Sequence, residues 1–553
     1  MNVFFNNRGE FRILFFYVPA VLLYGMLATV NLSIVDVYWD AVFYKTMAFG
    51  LADISTFELK RHIPVPILYP WFLSLGCHAS SYEMVEWIHS WMNPAIYCCG
   101  LFPLYRLSRF FLDARSSVAT CLLYLVYPAS IYTQWTVSEN LAIPLTLFAG
   151  AYSAAILVDD QSFRWNGILL GIILAALALT RIQSLVIVLV ILGWLWFRLR
   201  RMNACLLSWF QAGLIFFVLV ALVWFGLGYV SWKGVFVIYS NVNHEQVHGI
   251  GAILGTFVNR FVTHWTALWL EGALLIPPLA LFLLFRSFIF QEWESRPRNE
   301  IMLLLFIISL VIVVSIAAYR VLRAGLEPWS VSLRHVCYVN YLFLPLAVSA
   351  MGQCNRFPFT EIIKRWLLLL ALTAVLGIGF FCSEAWEGLT HNFRFFSNSP
   401  SLDFMQQLSN TAPWLADLFL LVLAAVLGLG CLYSRRWGIV LLTGLLFYIQ
   451  ASAFDYMYED QSYSIRVMNV KGIHDFCAQL DAGRWKQIPI FCHEDHRVQY
   501  LVPNLLYWVY RRSNVLPNES SRPQLPYLFL TFNEQEEGEL VFLSGKLRAY
   551  FYK

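Results

Sequence analysis

Of the 553 residues, 59% are hydrophobic and only 13% are charged, and the mean hydropathy of +0.61 lies far above that of an average soluble chain. Composition excludes a soluble globular protein and points to a polytopic membrane protein. The formal net charge of +4 says little about partners, nucleic acid is not expected among them, and the positions of the charges carry more information than their sum.

The N-terminus, MNVFFNNRGEFR, precedes an apolar stretch too long for a signal peptide and without a small-residue cleavage site, so it is read as the first span. With about 20 apolar residues per span, helices are expected near 13–32, 86–105, 117–134, 140–158, 166–180, 184–197, 205–229, 272–290, 301–319, 335–351, 366–382, 414–432 and 437–453, an all-α bundle of about thirteen transmembrane helices. Arg8 and Arg12, the Arg106/Arg109/Arg115 group, Arg164, Arg198/Arg200/Arg201, Arg296/Arg298, Lys364/Arg365 and Arg435/Arg436 then share one side, as cytoplasmic loops require. Residues 36–85, the loops near 139 and 181, 231–271, 320–334 and 384–413, and the tail after 454 fall on the other side. The 21 Trp and 28 Tyr suit a chain with many membrane interfaces.

The domain organisation expected is a transmembrane catalytic domain over 1–453, with a first external loop at 36–85, and a C-terminal non-cytoplasmic domain over 454–553. In that tail, helix-like and strand-like runs alternate around turn residues, as in PIFC and PYLFLTFN. A small α/β domain is the expected fold. The eleven Cys form no CxxC and fall mostly inside apolar runs (Cys98, Cys99, Cys121, Cys205, Cys431), as small buried hydrophobes do.

The first external loop opens with VDVYWDAVFYKTMAFG, which places Asp36 and Asp40 at i and i+4 of an expected surface helix. Such acids are either a solvated helix start, favoured by the dipole, or functional carboxylates. Glu139, at the outer end of a span, is either an acid that orients an acceptor or a polar terminus. Arg181 and Arg334 flank apolar spans at the same level, where cations hold anionic ligands or snorkel to headgroups.

DAVFYKTMAFG (Asp40, then Tyr44, then Ala48) followed by HIPVPILYPWFLSLG resembles the first external loop of the GT-C glycosyltransferases. These are membrane enzymes that use polyprenyl-phosphate sugars, among them lipid A aminoarabinose transferases and protein O-mannosyltransferases. Three further stretches fit the pattern in order: YPASIYTQWTVSENLAIP with Glu139, GILLGIILAALALTRIQSLVIV with Arg181, and SLRHVCYVNYLFLPLA with Arg334. The frequent Arg-Tyr pair of that family reads Arg334-His335 here, and a common Lys-Pro-Pro reads His62-Ile63-Pro64, with Lys60 and Arg61 beside it.

The resemblance implies a GT-C fold and an inverting enzyme that moves a monosaccharide from a polyprenyl-phosphate donor to a hydroxyl of a glycan, lipid or protein. It implies Asp40 as general base, Asp36 and Glu139 as further catalytic acids, and Lys60, Arg61, His62, Arg181, Arg334 and Tyr44 around the donor phosphate. A bacterial inner membrane, with the C-terminus in the periplasm, is the expected location. Asn518-Glu519-Ser520 is a glycosylation sequon only in a eukaryotic secretory membrane.

A competing motif lies at 244–248, where His244-Glu245-Gln246-Val247-His248 matches the HExxH pattern of zinc proteases. Asn241 and Asn243 before it and Gly249 and Gly251 after it leave a helix of hardly two turns, a poor platform for that chemistry. A divalent metal held by His244, His248 or His264, or loop histidines in solvent, remain the other readings. A non-enzymatic carrier or flippase for a lipid-linked glycan would also gather Arg and carboxylates, but the paired, interrupted spans of a carrier are absent.

Overall fold

The computed structural model describes residues 7–30, 39–52, 66–79, 82–134, 136–158, 163–201, 206–226, 250–288, 296–322, 332–352, 358–377 and 412–459. In the C-terminal segment it describes 476, 479, 488–492, 515–516, 526–531, 538–544 and 547–552. The chain divides into two compact units. The first comprises 1–21, 96–131 and 139–456, and the second 22–95, 132–138 and 457–553.

The first unit is helical, and its helices follow the apolar runs of the sequence. Glu139–Val158, Phe163–Thr180, Leu185–Arg201, Leu207–Gly226, Ile276–Phe288, Arg296–Leu322, Ser332–Ala350, Phe359–Gly377, Pro413–Tyr433 and Arg435–Glu459 overlap the expected spans. By length and composition Glu139–Val158 and Arg298–Ala318 suffice to cross a bilayer, and shorter apolar helical stretches include Trp165–Thr180, Leu207–Val223 and Leu418–Tyr433. These helices are apolar outward as well as inward: Phe210, Leu214, Phe217 and Leu222 on one, Val422 and Val426 on another, are exposed. Water would penalise such a surface, whereas lipid does not. The chain is an integral membrane protein.

One helix departs from expectation. Residues 250–271, read from the sequence as part of an external loop, form the helix Ile250–Glu271. Arg260, His264 and Glu271 interrupt its apolar run in the sequence, yet all three are buried in the unit. Polar residues buried by tertiary packing mimic a loop in any hydropathy reading.

Two other elements are broken where close packing demands it. The expected 86–105 span divides into Tyr82–Cys98 and Leu101–Arg109, with Gly100 between them. A Cβ there would lie 2.4 Å from the Tyr124 hydroxyl, so only glycine fits. The expected 117–134 span becomes the helix Ala114–Leu125 followed by a 3-10 turn over Pro128–Gln134. Tyr124 stacks on Tyr97 with ring centroids 4.8 Å apart and donates to the Tyr97 carbonyl at 2.7 Å. The Tyr341 hydroxyl meets that of Tyr97 at 2.6 Å, which fastens the helix Ser332–Ala350 to this corner.

In the second unit, helix Trp39–Ala52 packs on the short helix Leu68–Ser74. The C-terminal segment contributes a five-stranded mixed sheet in the order β2-β1-β3-β5-β4, with β1 Ile490–Cys492, β2 Val515–Leu516, β3 Tyr527–Thr531, β4 Glu539–Ser544 and β5 Leu547–Tyr552. Strand β1 runs parallel to β2 and β3, while β5 runs antiparallel to β3 and β4. Alternation along β3 and β5 puts Tyr527, Phe529, Tyr550 and Tyr552 into one aromatic cluster. The strand-like runs of the tail do form strands.

At the N-terminus of Ala114–Leu125, the Asp113 carboxylate accepts from the Ser116 backbone N–H at 2.8 Å. That bond, reinforced by the Arg435 guanidinium 3.8 Å away, holds its carboxyl below the usual carboxylate range. Removing this cap by Asp113→Ala is expected to cost about 1 kcal/mol at neutral pH. A depressed carboxylate pKa contributes stability above the unfolded value and loses it as pH falls through the folded value. Thermal unfolding in detergent should therefore show the wild-type advantage shrinking below about pH 4; a gap independent of pH would contradict the charged cap.

Candidate functional site

Asp40 occupies the first turn of helix Trp39–Ala52, where the dipole favours a carboxylate. The helix continues through Tyr44, Met47 and Ala48, all buried, at the i, i+3, i+4 spacing that places them on one face. Tyr44 donates to the Ser138 hydroxyl at 2.9 Å and stands edge-on to Tyr69 with centroids 5.2 Å apart. Tyr69 in turn donates to the Asn93 amide oxygen at 2.7 Å.

Lys45, beside Tyr44, places its ammonium 2.8 Å from both oxygens of Glu86, and the two side chains are 4% and 12% exposed. Neither was singled out from the sequence. The pair fixes the helix that carries Asp40 to helix Tyr82–Cys98 from 41 residues away.

In the first unit the structure joins two of the sequence candidates. Glu139 opens helix Glu139–Val158, and Arg181 follows helix Phe163–Thr180 with its N–H bonded to the Leu177 carbonyl at 3.0 Å. An acid thus sits at a helix N-terminus and a cation at a helix C-terminus, as the dipoles favour. The Arg181 Nη1 donates to Glu139 Oε1 and, at 3.2 Å, to the Tyr338 hydroxyl. Glu139 has no exposed side-chain surface and Arg181 has 10%.

Arg181 also lines a cavity of about 230 Å³. Val186, Ile187, Ile312 and Ile316 give it apolar walls, and the hydroxyls of Ser184 and Ser315 add polar points. A guanidinium beside an apolar chamber suits an amphiphile with an anionic head, because each part meets its own chemistry.

A second polar cluster lies along the helix Ser332–Ala350. The Asn340 amide donates to the Tyr127 hydroxyl at 2.6 Å, to the Leu268 carbonyl at 3.0 Å and to Glu271 at 3.5 Å, and all these groups are buried. Just beyond Glu271, Ala273 and Leu274 take left-handed backbone angles (φ 53 and 60), a conformation costing roughly 1–2 kcal/mol per non-glycine residue. The sequence signal for this cluster was a Glu in an apolar setting, masked by the reading of 231–271 as loop.

Arg334 lies in the first turn of Ser332–Ala350, one turn before Tyr338. Asp36, Lys60, Arg61, His62, His244, Glu245 and His248 lie outside the described residues, so the HExxH stretch does as well. His264 is buried in helix Ile250–Glu271, and among the described residues no group of three or more His, Cys, Asp or Glu is placed to hold a metal.

The Lys45–Glu86 pair allows a direct test of how the Asp40 helix is held. Lys45→Met removes the cation that meets the part-buried Glu86 carboxylate and should cost about 3 kcal/mol, whereas the double variant Lys45→Met/Glu86→Leu should recover most of that loss. A double-mutant cycle on thermal unfolding measures it; additive effects would mean that the two groups do not interact.

No family model and no curated protein sequence matches the chain. Solved structures do resemble it. The crystal structure of ArnT from Cupriavidus metallidurans in the apo state aligns with a TM-score of 0.53 at 13% identity, covering 97% of this chain and 97% of that one. The structure of the same enzyme bound to undecaprenyl phosphate aligns with the same TM-score, identity and coverage. The Archaeoglobus fulgidus oligosaccharyltransferase in its apo form aligns at a TM-score of 0.40 and 11% identity, over 71% of this chain and 59% of that chain. At such identities the ArnT likeness is one of fold, and the chain has the fold of ArnT.

Proposed function

We propose that this protein is an inverting GT-C glycosyltransferase that moves a monosaccharide from a polyprenyl-phosphate donor to a hydroxyl of a glycan, glycolipid or protein at the outer face of a bacterial inner membrane. The observation that carries the reading is the buried Arg181 at the wall of an apolar cavity, in a chain whose fold follows ArnT over nearly its whole length. ArnT itself has been crystallised with undecaprenyl phosphate, a lipid with the same two chemical parts.

The reaction needs few groups. The acceptor oxygen attacks the anomeric carbon, and the new C–O bond forms as the bond from that carbon to the phosphate oxygen breaks. The electron pair leaves with polyprenyl phosphate, and the hydroxyl proton passes to Asp40. A carboxylate as general base contributes typically about 10²- to 10⁴-fold, and cations stabilise the departing phosphate. Asp40 is the base in this reading, and Asp36 is a second carboxylate of the same loop. Arg181 holds the phosphate together with Arg334 and the basic run Lys60, Arg61 and His62, while Tyr44 borders the site. The prenyl chain stays in lipid, which requires a site at the membrane surface. Residues 36–85 form the catalytic loop of the 1–453 domain, and 454–553 form a periplasmic domain.

Asp40→Asn preserves shape and removes basicity, so transfer of labelled sugar from a polyprenyl-phosphate donor should fall by roughly 10² or more while donor affinity holds. Asp36→Asn should be milder. Near wild-type transfer by Asp40→Asn would remove the base from this scheme.

Sidedness is tested separately. Cysteines introduced at Ser55 and Ser520 should react with a membrane-impermeant thiol reagent from the periplasmic side of spheroplasts, and one at Ser434 should not. Labelling at 434 under those conditions would invert the topology.

A further inference from the structure

The ion pair between Glu139 and Arg181 raises a question of charge balance, because the cation assigned to the donor phosphate is bonded to a carboxylate. We propose that Glu139 is the counterion that Arg181 exchanges for the donor phosphate, so that donor binding parts the Glu139 carboxylate from Arg181. The inference rests on the assignment of Arg181 to the donor phosphate.

The two side chains meet water and ligand differently. The Glu139 carboxylate is wholly buried, and Arg181 is the member of the pair that reaches the cavity wall. A buried guanidinium needs a partner anion, because desolvating it alone costs more than any surface pair returns. Glu139 supplies that partner, and the Tyr338 hydroxyl accepts a further bond from Arg181 Nη1. A phosphate arriving at the same guanidinium places two anions on one cation in a low-dielectric setting, where like charges repel strongly. The guanidinium fork is planar and directional, so bidentate engagement of a phosphate draws the donors that now face the carboxylate.

The displaced carboxylate has somewhere to remain charged. Glu139 is the first residue of a 20-residue helix, and the positive end of that dipole favours an anion there. Exchange therefore leaves Arg181 neutralised by phosphate and Glu139 held by the helix terminus. The consequence is an order of events in which the donor binds before Glu139, the acid assigned to the acceptor, parts from Arg181. The exchange forms and breaks no covalent bond.

The test is direct binding of undecaprenyl phosphate to the purified full chain in lipid nanodiscs, combined with transfer kinetics. Glu139→Gln removes the competing anion, so binding should tighten by roughly tenfold, the scale of one charge-assisted bond. Donor KM should fall together with kcat, a split that a merely structural role would not give. Should Glu139→Gln fail to fold without its charge, Glu139→Asp, whose shorter side chain weakens the pair but keeps the charge, should tighten binding in the same direction by a smaller factor. Arg181→Gln is the control: unchanged binding in that variant would remove Arg181 from the donor site and with it the reading on which the inference rests. Weaker binding in Arg181→Gln, with unchanged or weaker binding in both Glu139 variants, would overturn the exchange alone.

Discussion

The cost of burying charge in an apolar protein governs how this structure is assembled. With 13% of its residues charged, the chain has few ions to place, and several of those that packing carries inside meet an opposite charge. Glu139 meets Arg181, Lys45 meets Glu86, and Arg198 meets Glu300. Each pair links separate helices, so each also fixes how those helices sit against each other. Buried ion pairs are weak sources of net stability, but breaking one is expensive, and that asymmetry makes them effective at enforcing one arrangement.

The helix Ser332–Ala350 gathers several of these constraints. Tyr338 bonds Arg181, Asn340 bonds Tyr127 and approaches Glu271, and Tyr341 bonds Tyr97. Three residues within a single turn thus reach in more than one direction, and three different helical segments depend on them. The phenols serve this role well because each has a large apolar ring for packing and one hydroxyl for a directed bond. Arg334 precedes this turn on the same helix.

The base and the cation proposed for glycosyl transfer have different kinds of support, each described within its own unit. The helix carrying Asp40 is held by its own buried bonds, Tyr44 to Ser138 and Lys45 to Glu86. Arg181 is held at the junction of two helices beside the cavity. In both places the charged group proposed for the chemistry sits at a helix end, where dipoles favour its charge, and bonds of the neighbouring turn anchor the helix.

Much of the architecture was legible because membrane helices announce themselves locally. Apolar runs placed most of the helices within a few residues, turn residues separated the strands of the tail, and the four stretches that resemble GT-C enzymes led to the fold found for the whole chain. Glu139 and Arg181 were each visible as isolated charges beside apolar spans. Their pairing was not, since it joins positions 42 residues apart and no period in the sequence records it. The same holds for Lys45 with Glu86, and for Asn340 with Tyr127, 213 residues away. Helix Ile250–Glu271 went unread because hydropathy scores Arg260, His264 and Glu271 as if they faced water. Composition and local pattern therefore determined the solvent, the helices and their order, since these depend on near neighbours along the chain. Only the tertiary structure decided which polar groups share a buried site, because that depends on contacts between distant segments whose energy lies in the pair and in neither residue alone.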